Sequence, residues 1–198
     1  MDKDLFEGIE VERFKHVDPS PEYTDSVISF VDELRRQNGR LFDDTNTTMS
    51  WLREIESELS RNKEHSRKFE GVKLLVRAND DEVVGVSCIH ERLDEETLRS
   101  FGGNISHVIR PSQRRKGYNK INLYLALKEC KCRGMKYVVM TVDKENVAGV
   151  RSIKAMGGSF MRDLAMTDEE SFRSEEYMVR VDPAIEMYKD VFEHLIVE

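Results

Sequence analysis

The sequence predicts a single mixed α/β domain, and three observations predict it. Apolar residues recur with periods near two and near 3.6 in turn, giving the order β-α-α-β-β-β-α-β-α-β-β before a final helix. Strands follow strands twice in that order, so it is not the alternation of a doubly wound parallel sheet. No repeat, low-complexity tract or long linker divides the 198 residues, which suffice for one sizeable core.

Each element has a local reason. Gly8 to Val17 reads as a first strand, with Ile9, Val11 and Phe14 on its apolar side, and Asp18-Pro-Ser-Pro21 breaks it. From Glu22, the residues Val27, Phe30, Val31 and Leu34 have helical spacing, closing near Asn38-Gly39. Thr45-Asn-Thr-Thr48 offers caps for a second helix that would bury Trp51, Leu52, Ile55 and Leu59. Arg61 to Glu70 is a charged connection. Val72–Ala78 and Glu82–Glu91 form a hairpin across Asn79-Asp80-Asp81, and Leu93–Phe101 reads as a short helix. Ile105, His107 and Ile109 alternate with Ser106, Val108 and Arg110 in the next strand, and a long helix follows with Ile121, Tyr124, Leu125, Lys128 and Cys132 on one face, widened by Leu123 and Leu127. It ends at Arg133-Gly134. Lys136–Val142 is expected as a buried strand (Tyr137, Val138, Val139, Met140). Asn146–Met156 is expected as a helix with Val147, Val150 and Ile153 inward. Phe160–Met166 and Glu176–Val181 are two more strands. Asp182-Pro183 opens the last helix, with Asp at the cap and Pro at the first position, and with Ile185, Tyr188, Val191, Phe192 and Leu195 on its apolar side.

Charge singles out one stretch. Acids outnumber bases 38 to 31, yet from Thr97 to Lys128 there is no Asp or Glu and there are seven bases: Arg99, Arg110, Arg114, Arg115, Lys116, Lys120 and Lys128. Within it, Ile109 to Lys120 joins a strand to a helix through a basic, glycine-containing turn. Such a turn aims unpaired backbone N–H groups and the positive end of a helix dipole at one point, which suits phosphate. Cations at a helix N-terminus oppose that dipole by roughly 0.3–1 kcal/mol each, so Arg114, Arg115, Lys116 and Lys120 without a local acid point to a bound anion.

The spacing Arg114-x-x-Gly117-x-Asn119, with Pro111 three residues ahead, resembles the pyrophosphate loop of the GNAT superfamily of acyl-CoA-dependent N-acyltransferases. Asp143-Lys-Glu-Asn146, one strand further on, resembles a second segment of that family. The resemblance covers roughly Val72 to Val181. Asn119 departs from the family pattern, which has a small residue where the backbone approaches the phosphate.

The resemblance implies a GNAT-like α/β (α+β) fold: a mixed, largely antiparallel sheet splayed at the cofactor site, with helices on both faces. Residues 1–70 would supply the N-terminal strand and helices on the acceptor side, 72–181 the cofactor-binding core and 183–196 the C-terminal helix. Acetyl-CoA would be the acyl donor, with no metal. Backbone groups of Val108, Ile109 and Arg110 would pair with the pantetheine amides. Arg114, Arg115, Lys116, Gly117, Tyr118, Asn119 and Lys120 would hold the diphosphate, and Asn146 would touch the cofactor arm or simply cap its helix. Where many relatives have a Tyr to protonate the departing thiolate, this chain has Ile153; a thiol pKa near ~8.5 makes that leaving group tolerable without an acid. An amine with a pKa near ~10.4 needs a base. Glu91 and His107 are the candidates, with a water chain as the alternative and His90 close by.

The expected activity is therefore acetyl transfer to the primary amine of a small molecule or peptide, by direct attack in a ternary complex. Two other readings stay open: a non-catalytic acyl-CoA-binding module, and an adaptor that uses the basic loop on RNA or protein. Overall acidity argues against general nucleic-acid binding. No run approaches the ~20 apolar residues of a membrane span, and the N-terminus is not a signal peptide. Three cysteines, with Cys130 and Cys132 pointing different ways on one helix, read as reduced thiols of a cytoplasmic protein. Homodimerisation through the last strands is left open.

Overall fold

The computed structural model describes residues 12–37, 55, 57, 71–92, 103–165 and 173–197. Strand β1 (Phe14–Val17) and helix α1 (Thr24–Gln37), entered through a single turn at Pro21–Tyr23, come first. Strands β2 (Val72–Arg77), β3 (Glu82–Ile89) and β4 (Ile105–Ile109) follow. Next come α2 (Tyr118–Cys132), β5 (Tyr137–Asp143), α3 (Val147–Ala155), β6 (Ser159–Ala165), β7 (Arg173–Arg180) and α4 (Val181–Phe192).

The strands make two antiparallel sheets, ordered β1-β2-β3-β4 and β5-β7-β6. Val72 pairs with Cys88 and Gly85 with Ile109, while a bulge beside Leu75 leaves Val84 as an extra residue on β3. On one face, Val27, Phe30, Val31 and Leu34 of α1 pack with Val72, Leu74, Val76, Val83, Val86 and Cys88. On the other face, α2, α3 and α4 enclose the larger core, which draws on both sheets. Helix α2 is its centre: Tyr118, Ile121, Leu123, Tyr124, Leu125, Ala126, Leu127 and Cys130 are all buried. A helix with apolar residues on nearly every side belongs inside a protein, and each fully buried Leu there stabilises the fold by about 1.5–3 kcal/mol. The chain end returns to β1, where Val197 N–H donates to Phe14 O at 2.9 Å. No helix among the described residues is long and apolar enough to cross a membrane.

Several elements differ from the sequence expectation. Strand β1 is described only from Phe14, so Ile9 and Val11 lie outside the described residues, as do Trp51, Leu52, Leu59 and the helix expected over Leu93–Phe101. Ile55 is helical and buried. In β5 the four apolar residues do not all point inward: Val138 and Met140 are buried, but Tyr137 is 63% exposed. The strand is covered on one face only, so period two wins over the apolar run. Val147 is likewise exposed, at the first position of α3. Helix α4 starts at Val181 with Asp182 in its first turn, so Asp182 is not the cap and Pro183 is the third residue. Its buried face is Val181, Ala184, Ile185 and Phe192, and Val191 faces outward.

Candidate active site

The two sheets are one sheet forced open. Strands β4 and β5 meet only at their base, where Gly103 bridges Met140. Asn104 clamps that point with four hydrogen bonds. Its N–H donates to Val139 O at 2.7 Å and its Oδ1 accepts from Val139 N–H at 2.8 Å. Its C=O accepts from His90 N–H and its Nδ2 donates to His90 O, both at 2.8 Å. One buried side chain thus joins the end of β3 to β5 and ends the ladder between β4 and β5. Gly103 has φ +115, and a Cβ there would collide with the Val139 carbonyl. Only glycine lets the two strands approach at this vertex.

Beyond the vertex, β4 has among the described residues a strand partner on one edge only. Arg110 N–H donates to Val84 O and Asn104 O accepts from β3's extension, so within β4 the even-numbered Ser106 and Val108 turn their backbone groups towards β3. Alternation then directs those of Ile105, His107 and Ile109 into the gap. Of the three residues expected to line it, Ile109 does so, whereas the amides of Val108 and Arg110 face β3. His107 takes the place beside Ile109. Ile109 C=O already accepts from Arg114 Nε at 3.2 Å.

The basic loop leaves the end of β4 through a turn at Pro111–Gln113. Arg115 has φ +66 and Gly117 φ +87. Two left-handed residues so close together point successive N–H groups to one side, as in an anion nest. Gly117 is the N-cap of α2, and no side chain caps the helix; Lys120 N–H turns back to Gly117 O at 3.0 Å, which leaves the N–H groups of Tyr118 and Asn119 at the open end. A Cβ at Gly117 would meet nothing within 4 Å, which leaves room for a ligand. Arg115, Lys116 and Lys120 are exposed around this turn. Lys116 Nζ donates to Gln113 Oε1 at 2.7 Å and lies over the Tyr118 ring.

The remaining predicted residues have structural partners. Arg110 is buried and ion-paired to Glu33 at 2.6 Å and Glu82 at 2.9 Å. Arg114 donates to Gln37 Oε1 at 2.7 Å. The Tyr118 hydroxyl donates to Glu12 and its ring packs edge-on against Phe14. Asn119, the residue out of keeping with the family pattern, has its side chain close enough to His107 to raise that ring's pKa against the larger effect of burial. Asn146 Oδ1 accepts from Gly149 N–H at 2.9 Å and caps α3.

Both candidate bases have structural neighbours of their own. Glu91 pairs with Arg133, at the C-terminal end of α2, at 3.0 Å and is half exposed. His107 shares the α2 face of β4 with Ile105 and Ile109, while Val108 turns to the α1 face. Burial depresses its pKa to about 4, so the ring is neutral at ordinary pH. His90 is also lowered by burial. Ile153 is fully packed in the core, and Ser152 donates to Ala148 O at 2.9 Å. Glu176 escaped sequence analysis; it is the one acid among the described residues that is buried, and Arg162 grips it at 3.0 Å. Among the described residues, no group of three His, Cys, Asp or Glu is arranged to hold a metal ion.

A sheet opened along one strand, with an anion-binding turn at the end of the opening, takes an extended ligand that carries phosphate at one end. This is the layout of the acetyltransferase fold. The model of the acetyltransferase (GNAT) family matches residues 35–157, more than half of the chain, and the chain belongs to that family. No curated protein matches the sequence. Among solved structures, a GNAT-family acetyltransferase from Bacillus anthracis is similar with TM-score 0.58 and 14% identity, over 88% of this chain and 98% of that one. The ribosomal-protein-S5-alanine acetyltransferase from Vibrio fischeri has TM-score 0.62 and 9% identity, covering 88% and 96%. The microcin C7 self-immunity acetyltransferase MccE, in complex with acetyl-CoA and AMP, has TM-score 0.60 and 11% identity, covering 85% and 92%. At these identities the likeness is one of fold.

Proposed function

We propose that this protein transfers the acetyl group of acetyl-CoA to a primary amine of a small molecule or peptide, by direct attack within a ternary complex. The observation that carries the reading is the open edge of β4 leading into the left-handed basic loop. In this reading the N–H groups from Arg115 to Asn119 receive the diphosphate, with Arg115, Lys116 and Lys120 supplying charge; Lys120 N–H itself is taken by Gly117 O. Ile109 N–H and the backbone of His107 pair with the pantetheine amides, and Asn146 flanks the arm from its cap. This chain's part in the chemistry is chiefly positional: holding two reactants in line supplies much of the rate enhancement such a transfer needs.

Glu91 and His107 have other partners, so proton removal goes through water, or the amine enters already neutral. With Ile153 in the usual acid position, the rate should rise with pH until the amine is deprotonated and then level off. A Tyr acid would instead bring a fall near pH ~10. Thiol release from acetyl-CoA, measured over a panel of amines, tests the activity. Tight CoA binding with no thiol release for any amine would favour the second reading, an acyl-CoA-binding module without turnover, which the loss of the Tyr supports.

A further inference from the structure

Helix α1 carries a polar stripe beside its apolar one: Ser29, Glu33 and Gln37, each four residues from the last and so on one face. Every rung meets the chain leaving β4. Ser29 Oγ accepts from Arg110 Nη2 at 2.5 Å. Glu33 accepts from Arg110 Nε at 2.6 Å with one oxygen and from Ser112 N–H at 3.1 Å with the other. Gln37 Oε1 accepts from Arg114 Nη1 at 2.7 Å. Three successive turns of one helix thus hold residues 110, 112 and 114, the three alternate steps into the basic loop.

We infer that Glu33 is a positioning residue of the cofactor site, setting from α1 the register in which the loop presents its N–H groups. Neutralising the buried Arg110 does not require Glu33 alone, because Glu82 also reaches that guanidinium at 2.9 Å. What Glu82 does not supply is the bond to the Ser112 amide. That bond fixes the loop itself, two residues before Arg114 and three before the left-handed Arg115. By the same geometry Arg114 is a strut and not a phosphate ligand, since its guanidinium spans Ile109 O and Gln37. The inference rests on the reading of the loop as the diphosphate site.

The test compares two ligands on the full chain, CoA and S-acetylpantetheine, which lacks the diphosphate. Binding is followed by calorimetry and melting by circular dichroism. Glu33→Ala should weaken CoA about ten-fold, the scale of one charge-assisted hydrogen bond, and leave S-acetylpantetheine unchanged. Because Glu33→Ala leaves Arg110 with one carboxylate fewer, the decisive variant is Glu33→Met with Arg110→Met. Apolar replacement of a buried pair commonly keeps or raises stability, while Ser112 N–H still loses its acceptor. That variant should melt as the wild type does and show the same selective loss of CoA. Wild-type CoA affinity in the folded double variant would overturn the inference, and so would equal weakening of both ligands, the mark of a merely structural role. Absence of CoA binding by the wild-type protein would overturn the reading of the loop, and the inference with it.

Discussion

Asn104 should be the residue to which the opening of the sheet is most sensitive. Replacing it by Leu removes two side-chain hydrogen bonds and leaves Val139 N–H and His90 C=O without those partners. Each buried group left unsatisfied costs about 1–3 kcal/mol, so Asn104→Leu should lose roughly 2–6 kcal/mol in urea unfolding. Asn104→Asp makes a sharper test, because it keeps the acceptor for Val139 N–H but turns a carboxylate oxygen against His90 C=O. Only 4% of Asn104 is exposed, so burial and the facing carbonyl would raise the folded-state pKa of the new carboxyl above its unfolded value near ~3.9. A raised folded pKa contributes stability below the unfolded value that is lost as pH rises through the folded one. Asn104→Asp should thus approach wild-type stability at pH 4 to 5, when its O–H can donate to His90, and fall well below it by pH 8. Asn104→Leu should show no such recovery. Both should raise the KM for acetyl-CoA more than they lower kcat, since the vertex holds the cleft's shape and touches no reacting atom. Equal stability of Asn104→Asp at pH 5 and pH 8 would refute the clamp.

Arg115→Gly should separate stability from binding. A non-glycine residue in the left-handed region costs about 1–2 kcal/mol, and glycine's own entropy returns about 0.5–1 kcal/mol of that. The variant should melt at a slightly higher temperature yet bind CoA more weakly, having lost a cation. Gly117→Val should abolish detectable CoA-induced thermal stabilisation, because a β-branched residue at φ +87 is strongly disfavoured and its side chain would enter the open space of the turn; an unchanged shift in the folded variant would sink the site. Acid should destabilise the fold below pH 6.5. Burial lowers His16 to about 3 and His107 to about 4, so their contribution is complete above the unfolded value and is lost as pH falls towards the folded ones. Replacing His16, which meets Ser87 Oγ at 3.3 Å, by Gln should flatten that slope in denaturation curves taken from pH 7 to pH 4.

What the sequence made legible was local. The strand, basic turn and helix from Ile105 to Cys132 could be read because period two gives way to 3.6 across a glycine, and α1 because its four core residues recur at helical spacing. The less legible features all depend on distant partners. Arg110 looks like one more cation of the loop until Glu33, 77 residues earlier, is brought against it. Asn119 looks like a plain departure from the family pattern until His107, twelve residues earlier, is brought beside it. Period two told which face of β4 a side chain takes but not which edge its amide takes. That requires the pairing with β3, and it is why His107 rather than Val108 lines the gap. Asn104 gave no signal at all, because a polar residue after two glycines reads as a turn.

The acid-free window can now be divided by what its charges do. Arg110 is neutralised by Glu33 and Glu82, and Lys128 by Glu193 at 2.8 Å. Arg114 has no carboxylate partner among the described residues but is bound to a backbone oxygen and to Gln37. Arg99 lies outside the described residues. Arg115, Lys116 and Lys120 remain, and among the described residues no carboxylate pairs with them. These three surround the uncapped N-terminus of α2, where a cation is unfavourable unless an anion is present. The window is therefore of two kinds. Its outer members hold the sheet, α1 and α4 together, whereas the inner three have among the described residues no carboxylate to offset their mutual repulsion, Lys116 meeting only Gln113 and the Tyr118 ring. CoA binding should weaken with salt as expected for about three cations acting on one diphosphate, and S-acetylpantetheine binding should hardly respond. Neutralising Arg110 or Lys128 should leave the salt slope as it is, whereas neutralising Lys120 should reduce it; calorimetry at two ionic strengths distinguishes them, and a slope indifferent to Lys120 would place the phosphates elsewhere.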